Sequence, residues 1–301
     1  MLDLNAFRGR KLNCAGIGEV LYDVFDDGPR IGGAPANFAY HCRMQGLNAM
    51  AISGVGDDDL GHLARKLFDE KQLPYYLETV ARPTGQVRVS LDESGVPTYT
   101  FLMDTAYDNM EADEKLLNIA RKTQVCCFGS LAQRSAKSAA AILAFLKAMP
   151  EELRLRVYDV NLRRDYFSRE VVESSLSECE IFKCNDEELP VLMKLLEVKG
   201  QDERDFNAYL RSRGVYGFIY TCGADSSTVF LNDEVSHLKT PKVKAVSTVG
   251  AGDSFTATVI TSLLKGYPLI KAHSLANTVA AYVCTVDGAM PEYPEALKAQ
   301  L

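Results

Sequence analysis

Residues 49–72 read AMAISGVGDDDLGHLARKLFDEKQ, and the fold is decided here. Residues 49–53 form a short apolar run, the kind a strand buried on both faces requires. From Asp59 onward, Leu60, Leu63, Ala64, Leu67 and Phe68 recur at i, i+3, i+4, i+7 and i+8, one buried face of a helix. Asp57, Asp58 and Asp59 put negative charge at that helix's N-terminus, where its dipole favours it. The strand-then-helix unit repeats in both directions. Residues 12–16, 124–128, 155–160, 180–184 and 217–221 are further apolar runs, and Leu189, Leu192, Met193 and Leu196 repeat the helical spacing. Such alternation implies an α/β fold: a mostly parallel central sheet flanked by helices on both faces. Sheets of this kind bind ligands beyond the carboxyl ends of their strands.

Two segments break the alternation. Residues 84–102, TGQVRVSLDESGVPTYTFL, are two period-2 runs around a Glu93-Ser94-Gly95 turn, with no helical face. Residues 22–31 are short and turn-rich, punctuated by Gly28-Pro29. They are expected to form a small satellite sheet projecting from a single domain spanning residues 1–301; the alternative is a hairpin on the core edge.

Composition narrows the function. Of 301 residues 47% are apolar and 24% charged, which excludes wholesale disorder. Lys plus Arg number 33 against 40 Asp plus Glu, and the net charge of −7 argues against a nucleic-acid partner. The longest uncharged stretch, 272–286, contains His273, Ser274 and Asn277 and is shorter than the roughly 20 residues of a membrane span. The opening MLDLNAFRGRKLN lacks the apolar core of a secretory signal, so a soluble cytoplasmic protein is expected. The 8 cysteines contain no C-x-x-C and share no metal spacing with the 4 histidines. Reduced, structural thiols and no zinc are expected.

Familiar nucleotide motifs fail. Gly16-Ile17-Gly18 begins a G-x-G, but Leu21 holds the third glycine position. There is no Walker loop, no H-R-D and no G-x-S-x-G. Four other segments are candidates. In Ser247-Thr248-Val249-Gly250-Ala251-Gly252-Asp253 small residues precede a helix carrying Phe255, Val259, Ile260, Leu263 and Leu264. Backbone N–H groups at such a terminus cradle an anion, and a carboxylate beside the cradle suits a base for a hydroxyl attacking a phosphoryl group. An aspartate there is equally an ordinary cap. Gly32-Gly33-Ala34-Pro35-Ala36-Asn37 is a turn into a helix ended by Gly46, with Asn37 free to hydrogen-bond a ligand or serve structure alone. Asn185-Asp186-Glu187-Glu188 reads as a capping box or as groups facing phosphate and magnesium-bound water. Tyr158-Asp159-Val160-Asn161-Leu162-Arg163 gathers polar residues at a strand end.

Together and in this order, these segments resemble the ribokinase/PfkB family of sugar kinases from about Leu12 to Pro291, and the Gly-Gly-Ala-Pro-Ala-Asn form is most like its fructokinases. The resemblance implies a ribokinase-like domain with a small β-sheet lid (about 22–32 and 84–103) and ATP- and Mg²⁺-dependent phosphorylation of a primary hydroxyl. D-fructose is the first substrate implied; 2-keto-3-deoxygluconate, ribose or a nucleoside is the alternative, and a non-catalytic sugar-binding regulator stands against both. The resemblance also implies roles residue by residue. Asp253 is the base, with Gly250, Ala251 and Gly252 as the anion hole and Arg163 beside the substrate or phosphate. Asp23, Gly33, Asn37 and Gln133 hold sugar hydroxyls. Asn185, Thr221, Gly223 and Asn277 bind nucleotide, and Glu188 orders Mg²⁺ through water. The glycine often found a few residues after Thr221-Cys222-Gly223 is here Ser226 or Ser227. Ser247 stands where similar chains have the aspartate that binds a monovalent cation, so weak potassium dependence is expected. An exposed lid edge offers a surface for a homodimer.

Overall fold

The protein is described by a computed structural model covering residues 1–25, 28–91 and 97–301. The expected Glu93-Ser94-Gly95 turn lies outside the described residues. Strands are β1 (Asn13–Ile17), β2 (Leu21–Phe25), β3 (Gly28–Gly32), β4 (Asn48–Gly56), β5 (Tyr75–Val80), β6 (Gly85–Leu91), β7 (Pro97–Phe101), β8 (Val125–Phe128), β9 (Leu155–Asp159), β10 (Ile181–Asn185), β11 (Gly217–Cys222), β12 (Ser226–Leu231) and β13 (Glu234–Lys239). Helices are α1 (Ala34–Met44), α2 (Asp59–Glu70), α3 (Glu114–Ala120), α4 (Ala136–Ala148), α5 (Arg169–Leu176), α6 (Glu188–Leu195), α7 (Glu203–Ser212), α8 (Ala251–Leu264), α9 (Leu269–Cys284) and α10 (Glu295–Lys298).

The main sheet runs β13-β12-β11-β10-β9-β8-β1-β4-β5. Its strands are parallel from β5 across to β11, and β12 and β13 close that edge as an antiparallel hairpin. Successive side chains of a strand face opposite ways, and here both faces are buried. On β1, Cys14 joins the core shared with α1, α2, α8 and α9, whereas Ala15 joins the core shared with α3 to α7. On β8, Val125 and Cys127 take the first face and Cys126 and Phe128 the second. Double burial explains why these strands read as unbroken apolar runs. All eight cysteines are free, and six are buried. Among the described residues, no helix is long and apolar enough to cross a membrane.

The segments expected to leave the alternation form a second sheet of order β3-β2-β6-β7. Gly28-Pro29 is no turn within it: it opens β3, with Pro29 opposite Val24 on an edge strand, where a missing N–H is tolerated. Buried Arg134 ties the end of this sheet to the main body. Its guanidinium donates to both carboxylate oxygens of Asp108 at 2.7 Å and to the Leu102 carbonyl at 2.7 Å. Two aromatic rings, Tyr107 and Tyr166, lie 4.9 and 5.1 Å from it.

Candidate active site

The candidate residues lie at or just beyond the carboxyl ends of main-sheet strands: Glu19 after β1, Arg163 after β9, Asn185 at the end of β10 and Thr221 near the end of β11. The first turn of α8 sits over them. Gly250, its cap, has φ 79°, and a Cβ there would come within 2.8 Å of the Ala289 backbone, so only glycine fits. The Ala251 N–H already donates to the Thr248 carbonyl at 3.2 Å. Among the described residues, the N–H groups of Gly252 and Asp253 have no backbone acceptor, as expected of a helix start, and remain open to an anion.

Asp253 in this turn meets the N-terminal glycine-rich segment. Asn37 Nδ2 donates to Asp253 Oδ2 at 2.7 Å across 216 residues of sequence. Asn37 is buried, and its Oδ1 has no hydrogen-bond partner, leaving one acceptor for a ligand. Pro35 lies in the first turn of α1 and Gly33 caps it with φ 130°, where a Cβ would strike the Glu19 carbonyl at 2.3 Å. Burial raises the pKa of Asp253, while the Asn37 hydrogen bond and the charges of Lys183 and Arg163 pull it down. A carboxyl so raised is a better proton acceptor than one free in water.

Arg163 lies on the loop after β9, between Asn161 (φ 44°) and Arg164 (φ 48°), two left-handed residues that fold the chain back. Its positive charge bears on Glu19, Asp23 and Asp253 together. Asp23 sits on β2 opposite Arg30; burial raises its pKa against the pull of Arg163 and Arg30. Glu19 joins the β1 end to the small sheet. Its Oε1 accepts the first N–H of α1, from Ala34, at 3.3 Å, and its buried Oε2 has no hydrogen-bond partner. Burial pushes its carboxyl up to about 7.

On the other side of α8 opens a cleft of about 500 Å³. Asn185, Thr221, Gly223, Ala251, Gly252 and Asn277, dispersed over the sequence, all line it. Asn185 and Thr221 are register partners at the ends of β10 and β11. Glu188 is buried beside the cleft, and its carboxylate is engaged: Oε2 accepts the Asn185 N–H at 2.8 Å and Oε1 the Leu162 N–H at 2.8 Å. Asn185 Oδ1 accepts the Glu188 N–H in return, so the capping box is real and locks the β10 end to the Arg163 loop. Asp186 and Glu187 line the cleft as the more open carboxylates. Among the described residues, no three His, Cys, Asp or Glu side chains form a metal cage. The open carboxylates of Asp186 and Glu187 are hard oxygen donors of the kind that suits Mg²⁺, which keeps several waters and is held chiefly by substrate phosphates.

Gln133 is not brought to this centre. Its amide donates to the Gly129 carbonyl at 2.8 Å and to Ser175 Oγ at 3.0 Å, and it lines a separate hollow between α4 and α5. Two groups escaped the sequence reading, Glu19 and Lys183. Lys183 is buried within β10, 3.0 Å from Asp159 Oδ1 on the neighbouring strand. A lysine inside an otherwise apolar strand run was the available signal, since a buried ammonium needs a partner.

Residues 6–296 match the pfkB family of carbohydrate kinases, and the chain belongs to that family. It is 27% identical to an ATP-dependent 6-phosphofructokinase of Thermoanaerobacterium thermosaccharolyticum, over 97% of this chain and 94% of that protein. It is 29% identical to a fructokinase of Klebsiella pneumoniae, over 92% and 95%. The crystal structure of a fructokinase with bound ATP from Xylella fastidiosa superposes with a TM-score of 0.82 at 17% identity, covering 96% of this chain and 98% of that one. That likeness shows the ribokinase-like fold. The family resemblance drawn from the motifs therefore holds along the chain.

Proposed function

We propose that this pfkB-family kinase transfers the γ-phosphoryl group of ATP to a primary hydroxyl of a small sugar, D-fructose first among them, giving fructose 6-phosphate. The observation that carries the reading is the 2.7 Å contact between Asn37 and Asp253. It joins a hydroxyl-binding turn to a carboxylate at an anion-binding helix start, which is what an alcohol phosphotransfer requires.

In this reading ATP lies along the 500 Å³ cleft, with its phosphates against Asn185 and the α8 turn and its base end toward Asn277. The sugar lies between Asp23, Gly33 and Asn37, under the small sheet, whose closure excludes water. Asp253 takes the hydroxyl proton as the sugar oxygen attacks phosphorus in line and ADP departs. The open N–H groups of Gly252 and Asp253, with Arg163, meet the charge that spreads over the phosphoryl oxygens. Asp186 and Glu187 would hold Mg²⁺ bound with ATP, which would supply neutralising charge to the phosphates, while Glu188 holds Asn185 in place. Fructose rests on the Gly-Gly-Ala-Pro-Ala-Asn segment and on the named relatives.

The test is a coupled ADP-release assay over fructose, fructose 6-phosphate, ribose, 2-keto-3-deoxygluconate and adenosine. Fructose is expected to give the highest kcat/KM. A higher value on another acceptor reassigns the substrate, and ADP release no faster than hydrolysis with every acceptor refutes catalysis. In Asp253→Asn, turnover is expected to fall roughly 10²- to 10⁴-fold, with ATP affinity changed little.

A further inference from the structure

Strand β10 reads Ile181-Phe182-Lys183-Cys184-Asn185. Its pleat sends Ile181 to the core beneath α8 and sends Phe182 and Cys184 to the opposite face. Lys183 shares the side of Ile181, so its long stem turns toward α8 with the side chain only 8% exposed. Its register partner on β9 is Asp159, 3.0 Å away. Asp159 Oδ1 makes no directed hydrogen bond there, so the pair is an ion pair alone.

A counter-ion role does not account for where the ammonium ends. Lys183 lines the nucleotide-side cleft, and a Cβ built on Gly252 would lie 3.5 Å from Nζ. The ammonium therefore lies under the first turn of α8, beside the two N–H groups left open to an anion. Burial acts to strip its proton, but the charges of Asp159, Glu188 and Asp253 outweigh that and hold its pKa above the ordinary lysine value. A lysine kept charged at the floor of an anion site differs from one buried to balance a neighbour.

We propose that Lys183 is a further catalytic residue whose ammonium contacts the phosphoryl group in transfer from beneath the α8 turn. The inference rests on the reading of that turn as the phosphoryl site and of Asp253 as the base. The phosphorus–oxygen bond to ADP breaks as the bond to the sugar oxygen forms. The hydroxyl proton goes to Asp253, and Lys183 keeps its protons throughout. A fixed charge in a water-poor floor stabilises the spreading negative charge without reorganising.

The experiment compares Lys183→Met with the paired variant Lys183→Met/Asp159→Asn, which leaves neither charge stranded. With Mg²⁺ present and both substrates saturating, kcat of Lys183→Met is expected to fall roughly ten- to hundredfold, the range of one charge-assisted contact. Calorimetric titration without sugar is expected to show weaker ATP binding and ADP binding within twofold of wild type. The paired variant stays slow. A paired variant within threefold of wild type would overturn the proposal, because Lys183 would then serve Asp159 alone. Equal losses of ATP and ADP affinity would overturn it too. Should Lys183→Met fail to fold by circular dichroism, the charge-neutral pair decides by itself. Asp253→Asn, run alongside, separates the two readings: wild-type turnover there sinks the base assignment, whereas a slow Asp253→Asn beside a fast paired variant sinks only Lys183.

Discussion

Replacing Glu19 by glutamine removes a buried charge yet keeps the oxygen that accepts the Ala34 N–H at 3.3 Å. Burial pushes this carboxyl from 4.5 up to about 7, despite the opposing pull of its own backbone N–H and of Arg163. The folded chain therefore holds the Glu19 proton more tightly than the unfolded chain does. The resulting stability is complete below about pH 4.5 and is lost as pH rises toward 7. About 2.5 pKa units at 1.36 kcal/mol each come to about 3 kcal/mol, and Glu19 is only 3% exposed, so little is screened away. Unfolding entropy for a chain of this length is about 0.6 kcal/mol/K, which converts that loss to about 5 °C in Tm. Glu19→Gln is expected to melt about 5 °C above wild type at pH 8 and about 1 °C above it at pH 5. Scanning calorimetry of both proteins across pH 5–8 reads the difference directly. A gap that stays constant with pH, or a variant less stable at pH 8, would refute the argument. Either result would mean that Glu19 is ionised and satisfied in the native state.

Asp23→Ala is expected to raise the sugar KM roughly tenfold and leave the ATP KM nearly unchanged, as loss of one charged hydrogen bond would; a loss confined to the ATP KM would mean that the two ends of the site are exchanged. Gly250→Ala puts a Cβ 2.8 Å from the Ala289 backbone at a φ of 79°, so a Tm drop of several degrees with loss of ADP release is expected, and a wild-type melt would contradict the geometry. Ser247 Oγ accepts the Val249 N–H at 3.3 Å and supplies no carboxylate to a monovalent cation. Turnover is accordingly expected to change less than about threefold between potassium and a bulky inert cation at equal ionic strength, an energy of under about 0.7 kcal/mol. Strong potassium activation would show that carbonyls complete a site without the acid.

The doubly buried strands were legible because burial on both faces leaves mostly apolar residues in the run, with Arg156 and Lys183 as exceptions: β1, β8, β9, β10 and β11 each lie within a residue or so of their expected limits. Strands β5 and β13 escaped because they stand at the sheet edges and carry mixed patterns such as Glu234-Val235-Ser236-His237, and β12, one place in from the edge, because it opens on the polar Ser226-Ser227-Thr228. The two residues Asn232 and Asp233 between β12 and β13, with Asn232 at φ 53°, were the hairpin signal. Of the groups that the motifs singled out, Asn37 meets Asp253, Gly33 and Gly250 cap α1 and α8, and Asn185 lines the cleft. Motif spacing did not single out Glu19 or Lys183, whose significance lies in what burial does to a charge, and Gln133, which the family resemblance implied, turns its amide to Ser175 on α5. Glu188 shows that two readings of one motif need not compete. The capping box fills its oxygens, and the same bonds fix Asn185 at the cleft.

The serine at 227 shows how a departure from a motif is answered elsewhere in the fold. Ser227 is buried at the start of β12, where a glycine would offer no side chain. Its Oγ lies 2.7 Å from His273 Nε2 and donates to Asn277 Oδ1 at 3.3 Å. On the far side, His273 Nδ1 stands 2.8 Å from Ser236 Oγ. Burial pushes the imidazole down to about 4, so the ring is neutral near pH 7 and carries one proton. A neutral ring has one donor and one acceptor nitrogen, so it bridges Ser227 on β12 and Ser236 on β13. Asn277 lines the cleft, and the cluster anchors its side chain there through Ser227. A glycine at 227 would have no hydroxyl for either partner, so it is the serine that ties Asn277 to His273.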